Sequence, residues 1–378
     1  MASYYSGAGD GKTKAAALSW DAAHDATSIT MADYDYTSTL ATVSSAESKG
    51  TFTIIRGFLP IDTSGINDTA TILSAKFYLM QGTGSPLANG DNDGDDWLNI
   101  VGQTTQASPT SLGINDFDNC GSIDNPTEGA TRIDFTTIKW AQYSNHADNG
   151  SGFVRVTSNT NHTLSVGDYV YLTPLITPAE YRGWHTVTNV TDNTHYDLDV
   201  AYTAGSVTQG YAVVWQEFIL NSTGISWIKK TVGDPYTMFG IREGHDCIDS
   251  SIATGYENGF IWFTSEETSG NSDPYLDVLV LQTYVIFQFK DYSPVGNEQG
   301  FNVTWQGQTN LAPSISPVVL QIYNFDTSTW VNLAQNVSSD VNTDFELSAW
   351  IGDSGEDISA YHNSANMICC RVYQGGGS

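Results

Sequence analysis

RGFLPIDTSGINDTATILSAKFYL, residues 56 to 79, is the stretch on which the fold turns. Its second half alternates. Ala75, Phe77 and Leu79 share one face of an extended chain and Lys76 and Tyr78 the other, as a half-buried antiparallel strand requires. Between its two apolar runs, IDTSGIND carries turn chemistry. An extended run reappears far downstream as GFIWFTSEE (259–267) and then PYLDV (274–278). A self-contained block stands between them, HTLSVGDYVYL (162–172) followed by YRGWHTVTNVTDNTHYDL (181–198). The spacing predicts one β domain split by a second, smaller one.

Outward from that stretch, short β-branched and aromatic runs bounded by Gly, Asn, Asp and Ser recur along the whole chain. TFTIIRGF (51–58), DWLNIVG (96–102) and TRIDF (131–135) join the outer domain. FVRVTS (153–158), YVYL (169–172), HTVTNV (185–190) and HYDLDV (195–200) fill the insert, which gives way to the parent sheet at YAVVWQEFIL (211–220). Helix formers gather only in residues 11–26, enough for one short helix. From about 283 a further series runs through FNVTWQG, VVLQIYN and MICCRVY. The expected fold is all-β. Residues 1–150 plus 212–282 form a split, jelly-roll-like β-sandwich, 151–211 an inserted barrel-like module, 283–374 a second β-sandwich and 375–378 a flexible tail.

Composition narrows the partners. Among 378 residues, 14 Lys and Arg face 42 Asp and Glu, a formal charge of −28, so nucleic acid would be repelled whereas divalent cations would be drawn in. No apolar run approaches the roughly 18 residues of a membrane span, so no membrane partner is expected. MASYYSGAGDG at the start lacks a basic region leading into an apolar core, which gives no support to a secretory leader. The four cysteines are too few for a disulfide framework in so long a chain. Cys120 and Cys247 meet only if the split domain closes, and Cys369 and Cys370 should face opposite sides of a strand.

RGFLPIDTSGI with ILSAKFYL, and later FILNSTGISWI, FGIR, FTSEE and PYLDV, resemble the DNRLRE, or disaggregatase-related, β-sandwich family over roughly residues 30–280 with the insert removed. The chain departs from the family in reading RGF where many relatives carry a further basic pair, and in the insert itself. The resemblance implies jelly-roll-like domains of cell-surface and polysaccharide-active proteins. Some of these bind acidic polysaccharide, which suits so acidic a chain poorly. The inserted block is similar to a small β module of phage tail and other virion proteins.

Local chemistry is sparse. GDNDGDDW places Asp91, Asp93, Asp95 and Asp96 within six residues, either a solvated acidic turn or a calcium site, although its spacing is not that of an EF-hand. NDFDNC (115–120) is a second acidic loop that could add ligands only if folding brought it close. The acid pairs Glu266 with Glu267 and Glu243 with Asp246 are available as glycosidase carboxylates, but acid is so common in the chain that availability means little, and the adjacent Glu266 and Glu267 would point to opposite faces of a strand. His162 and His195 read as turn residues, and no metalloprotease, hydrolase or nucleotide motif appears. Tyr181, Arg182 and Trp184 at the YRGW turn, and Trp330 at the TSTW turn, are the candidate exposed contacts, each weighed against core packing.

These readings lead to a non-enzymatic virion protein, a phage-like decoration, fibre or tail-associated subunit on the virion surface. It would assemble with copies of itself, as a homo-oligomer, and with capsid or tail proteins, with a host-surface glycan as a further partner. It would require no cofactor, calcium being the one candidate. The alternatives are a glycan-binding module of a secreted or cell-surface protein and a polysaccharide-degrading enzyme.

Overall fold

The computed structural model describes residues 2–30, 33–68, 70–82, 87–102, 106–172, 181, 183–205, 210–230, 235–267, 272–281, 285–292, 300–352 and 357–374. Strands dominate them, in two compact units, residues 1–280 and 281–378. Among the described residues no helix is long and apolar enough to cross a membrane.

The first unit opens with β1 (Ala2–Tyr5), β2 (Gly11–Ala17), α1 (Trp20–His24), β3 (Tyr34–Asp35), β4 (Leu40–Ser48) and β5 (Thr51–Asp62). Next come β6 (Thr71–Met80), β7 (Leu87–Asn89), β8 (Trp97–Val101) and β9 (Ile133–Asp134). The insert holds β10 (Trp140–Asp148), β11 (Phe153–Ser158), β12 (Tyr169–Leu172), β13 (Gly183–Asp192), β14 (His195–Ala201) and β15 (Gly210–Val213). The parent domain resumes with β16 (Trp215–Ile219), α2 (Ser222–Ser226), β17 (Tyr236–Glu243), α3 (Gly244–Ile248), β18 (Glu257–Phe263) and β19 (Tyr275–Leu281).

Two antiparallel sheets pack face to face in the parent domain. The front sheet has the order β1-β19-β6-β16, and the back sheet runs β7-β18-β4-β5-β17-β8-β9, with β2 and β3 added beside β5. Their shared core joins Phe77, Phe218 and Leu276 of the front sheet to Leu59, Phe239, Phe260 and Trp262 of the back sheet. Each such side chain, fully buried, contributes roughly 1.5–3 kcal/mol. The alternation in residues 75–79 holds, because β6 sends Ala75, Phe77 and Leu79 inward and leaves Lys76 and Tyr78 outside.

RGF sits at the centre of this arrangement. A Cβ at Gly57 would stand 2.3 Å from Ile241 and 2.5 Å from Trp262, so only glycine leaves room for the core side chains that β17 and β18 lay over β5. Arg56 and Phe58 point the other way, to a second layer built on the rear of the back sheet. That layer has two apolar clusters, one around Trp20, Ile54 and Phe117, the other around Phe58, Trp97 and Cys247. The back sheet is thus buried on both faces, which explains the near-continuous burial of residues 56–61.

The insert closes into a six-stranded barrel, β10-β11-β14-β13-β12-β15. Its first strand starts at Trp140, so the barrel takes up residues that the sequence spacing assigns to the parent domain. Entry and exit are adjacent, with Trp140 paired to Val213. Its core includes Tyr143, Val156, Leu172, Tyr196 and Leu198. Val214 alone separates β15 from β16, whose Trp215–Ile219 pairs antiparallel with β6.

Residues 11–26 hold one short helix, as expected. Only Trp20–His24 is helical, capped by the Ser19 hydroxyl, whereas GKTKAAA forms β2 against β5. Pairing along the back sheet outweighs the helical preference of three alanines.

The second unit comprises β20 (Val285–Tyr292), β21 (Phe301–Gly307), β22 (Val318–Asn324), β23 (Thr329–Asn336), β24 (Phe345–Ile351) and β25 (Met367–Gln374). A sheet β20-β25-β22-β23 faces the pair β21-β24 across a core of Val303, Leu320, Leu347, Ile351 and Cys370. Residues 375–378 lie outside the described residues.

Candidate functional site

An aromatic track crosses from the parent sandwich onto the barrel. On the outer face of the front sheet, Tyr5 of β1 lies 5.7 Å from its cross-strand partner Tyr275 of β19, which stacks on Tyr78 of β6 at 4.7 Å. Tyr275 also meets Trp215 of β16 edge-on at 5.0 Å. Trp215 then stacks on Trp184 of β13 at 6.5 Å, and Trp184 on Tyr169 of β12 at 5.0 Å, with Tyr171 edge-on at 5.5 Å. Seven rings from six strands form one chain. Its ends are open, Tyr5 being 55% and Tyr169 57% exposed, and the rings between are half-buried.

The physical reason lies in strand alternation. Outward positions of an edge sheet need only tolerate water, yet these carry rigid amphipathic rings, the residue type that binds with little loss of conformational freedom. Polar groups flank them. Tyr78 donates its hydroxyl to Glu217 (2.7 Å), Lys76 pairs with the same carboxylate at 2.9 Å, and Ser3 donates to Asp277 at 2.5 Å. Burial, with Glu217 nearby, raises the Tyr78 phenol, and burial pushes Tyr275 up to about 12, so both remain neutral donors at physiological pH.

Of the four expected contacts, one belongs to this track. Trp184 is the second residue of β13, not part of a turn, and it joins the barrel half of the track to the sandwich half. Tyr181 corrects the expectation: it is buried in the barrel core and its hydroxyl donates to the Thr203 carbonyl (2.7 Å), so it cannot meet a ligand outside. Arg182 lies outside the described residues. Trp330, also on a strand and not in the turn, belongs to the second unit, where Arg371 covers its ring at 4.1 Å and Tyr323 meets it at 5.1 Å. Along with Tyr323, Phe325 and Cys369 it lines a recess of about 210 Å³.

The acidic loop separates into members with different partners. Asp91 and Asp93 converge on His245 of α3, whereas Asp96 accepts from the Asn258 side chain, and nothing brings Asp95 to the same point. The His245 Nε2 lies 3.6 Å from Asp91 Oδ1 and 3.3 Å from Asp93 Oδ2. Its Nδ1 bonds Glu243 Oε1 at 2.9 Å. Burial alone would lower the His245 pKa, but Glu243, Asp91 and Asp93 outweigh it and raise the imidazole to about 9. The expectation of four aspartates about a calcium ion therefore changes, since two of them are joined by a histidine some 150 residues away in sequence. The other acidic loop does not contribute. Asp116 turns back to accept from Gly113 (2.6 Å) and Ala107 (3.1 Å).

Next to His245, Asp246 lies at the centre of a buried ionic network. Arg56 bonds it at 2.7 Å and Arg242 at 2.6 Å; the same guanidinium groups bond the carbonyls of Phe117 (3.0 Å), Ser122 (2.6 Å) and Ile123 (2.9 Å). Burial would raise the Asp246 carboxyl, and Arg242 with Arg56 reverses that and holds it well below the carboxylate range. Glu243 and Asp246 are thus fixed by separate partners and do not face each other across a cleft. Glu266 and Glu267 follow β18 in a turn, not on a strand, and bond Ser265 (3.3 Å) and Ser272 (2.9 Å). His24, near Asp25 and Asp124, has both ring nitrogens engaged, by Asp25 (2.7 Å) and the Asp246 carbonyl (3.0 Å).

The cysteines are free thiols. Cys120 and Cys247 do meet in one rear cluster, and burial pushes Cys120 up to about 12 and Cys247 well above its ordinary value, which leaves both unreactive. His162 and His195 bond backbone and side chain around Asp192, at 3.0 and 2.9 Å.

Sequence reasoning finds Trp184 and the paired aspartates but misses Trp215, Tyr275, Tyr78 and His245, because their meeting depends on pairings across the interrupted chain. No protein-family model matches the chain, and no curated protein or solved structure matches it either.

Proposed function

We propose that the protein is a non-catalytic structural and adhesion subunit at the surface of a phage-like particle, and that the aromatic track is where it grips neutral sugar. The seven-ring track carries this reading: half-buried rings between two exposed ends, spaced at 4.7–6.5 Å and bordered by Glu217, Lys76 and Asp277, suit the apolar faces and hydroxyl rims of a glycan chain. A charge of −28 favours neutral over acidic glycans and keeps crowded copies dispersed. The placement on a particle is supported by the likeness of the insert to phage modules, now a closed barrel whose β15 leads through Val214 into the front sheet.

Affinity electrophoresis through neutral and acidic polysaccharides tests the adhesion. Retardation in a neutral gel should weaken at least tenfold, about 1.4 kcal/mol, in Trp184→Ala and in Trp215→Ala, and persist in Trp330→Ala. Equal retardation of Trp184→Ala and the parent would remove the track from the account. A second reading is favoured by Ile219 and Leu279, 52% and 37% exposed on strands of the same sheet: copies of the chain could bury this face against one another. Light scattering decides it, through an oligomer that Ile219→Asp dissociates.

A further inference from the structure

We propose that Asp91, Asp93 and His245 bind one transition-metal dication of the zinc class, fastening the acidic loop to α3. Each residue has one ligand atom anchored and one left over. Asp91 Oδ2 accepts from Ala253 N–H at 2.9 Å, Asp93 Oδ1 from Asp95 N–H at 2.9 Å, and His245 Nδ1 is held by Glu243. One ligand atom of each residue lies within 4.8 Å of the others, and the free His245 Nε2 stands 3.6 Å from Asp91 Oδ1 and 3.3 Å from Asp93 Oδ2.

Two of these atoms have no hydrogen-bond partner although they are buried. The His245 side chain is 0% exposed and its Nε2 makes no hydrogen bond; Asp91 is 6% exposed and its Oδ1 makes none. A buried imidazole nitrogen that faces carboxylate oxygens without a hydrogen bond to either costs on the order of 1–3 kcal/mol unless something occupies the point between them. The spacing fits a small ion. Bonds of ~2.0–2.1 Å at a tetrahedral angle put neighbouring ligand atoms roughly 3.3 Å apart, close to the 3.3 and 3.6 Å found here.

The donor set selects the class of metal. Calcium takes six to eight oxygens, whereas one imidazole with two carboxylates suits zinc and its neighbours. Glu243 on the far nitrogen supplies the carboxylate that commonly orients a metal-bound histidine. Asp93, 42% exposed, gives the ion a way in.

The test is calorimetric titration of the full chain, stripped with chelator, by Zn²⁺ alone and by Ca²⁺ alone, with bound metal counted by mass spectrometry. One zinc per chain is expected, with calcium at least tenfold weaker. Asp93→Asn, at an exposed position that should not disturb folding, should weaken zinc at least tenfold, and His245→Gln should abolish it. Zinc-edge diffraction should place the anomalous peak among the three side chains. No zinc uptake, equal uptake in Asp93→Asn, or a calcium preference that survives His245→Gln would overturn the assignment in favour of a protonated His245 or an all-oxygen site.

Discussion

His245 and Asp246 are consecutive residues of one short helix, α3, yet they end in opposite situations. Asp246 is closed: two arginines from neighbouring strands occupy its oxygens, and their remaining donors reach backbone carbonyls. His245 is open, with one nitrogen bonded and the other buried and facing two carboxylate oxygens. A fully satisfied buried network serves the fold, because nothing is left to bind. A network lacking one member is where a ligand is to be sought.

The largest effect should come from breaking the closed member. Asp246→Ala leaves Arg56 and Arg242 buried and unpaired, so urea unfolding should show a loss of about 3–5 kcal/mol. Acidity probes the same point. Because the folded-state pKa of Asp246 lies below its ordinary 3.8, its contribution is complete above that value and is withdrawn as the pH falls through the lower, folded-state value. The parent protein should therefore lose stability more steeply in acid than Asp246→Asn, which starts lower at pH 7. Parallel curves would mean that Asp246 does not carry the network.

Completing the open member should have the next largest effect. Zinc at 100 times its dissociation constant should add about 2.7 kcal/mol to unfolding, lost on adding chelator. With its site weakened tenfold, Asp93→Asn should gain only about 1.4 kcal/mol from the same addition, and less if the weakening is greater. If zinc stabilised both proteins equally, its site would lie elsewhere and the two clusters would differ only in their hydrogen bonds.

The contrast also explains what could be read from the chain alone. Strands were legible wherever one face is buried, since a period of two is local: Ala75, Phe77 and Leu79 point inward as their spacing demands. β10 was not, because WAQYSNHAD mixes polar and apolar residues around the barrel, and α3 is too short at five residues to show a helical period. At the sites, the aspartates were legible as a cluster, but the histidine that unites two of them arrives with β17 and α3. Tyr181 and Trp184 looked alike in sequence. Barrel closure sends one to the core and leaves the other to meet Trp215.

The smallest expected effect is the most discriminating. In chelator, Asp93→Asn should change unfolding stability by less than about 1 kcal/mol, because Asp93 is 42% exposed and solvent screens its charge. The asparagine oxygen can still accept the Asp95 N–H, so the turn survives. His245 keeps Glu243 and Asp91 as neighbours. A cluster built as a closed charge network would not behave this way. Removing one of its members without metal would cost several kcal/mol, as at Asp246, and His245 would then be a finished imidazolium bridge. A small change in chelator, together with a zinc-dependent gain cut by half or more, is the signature of a site whose last member comes from solution.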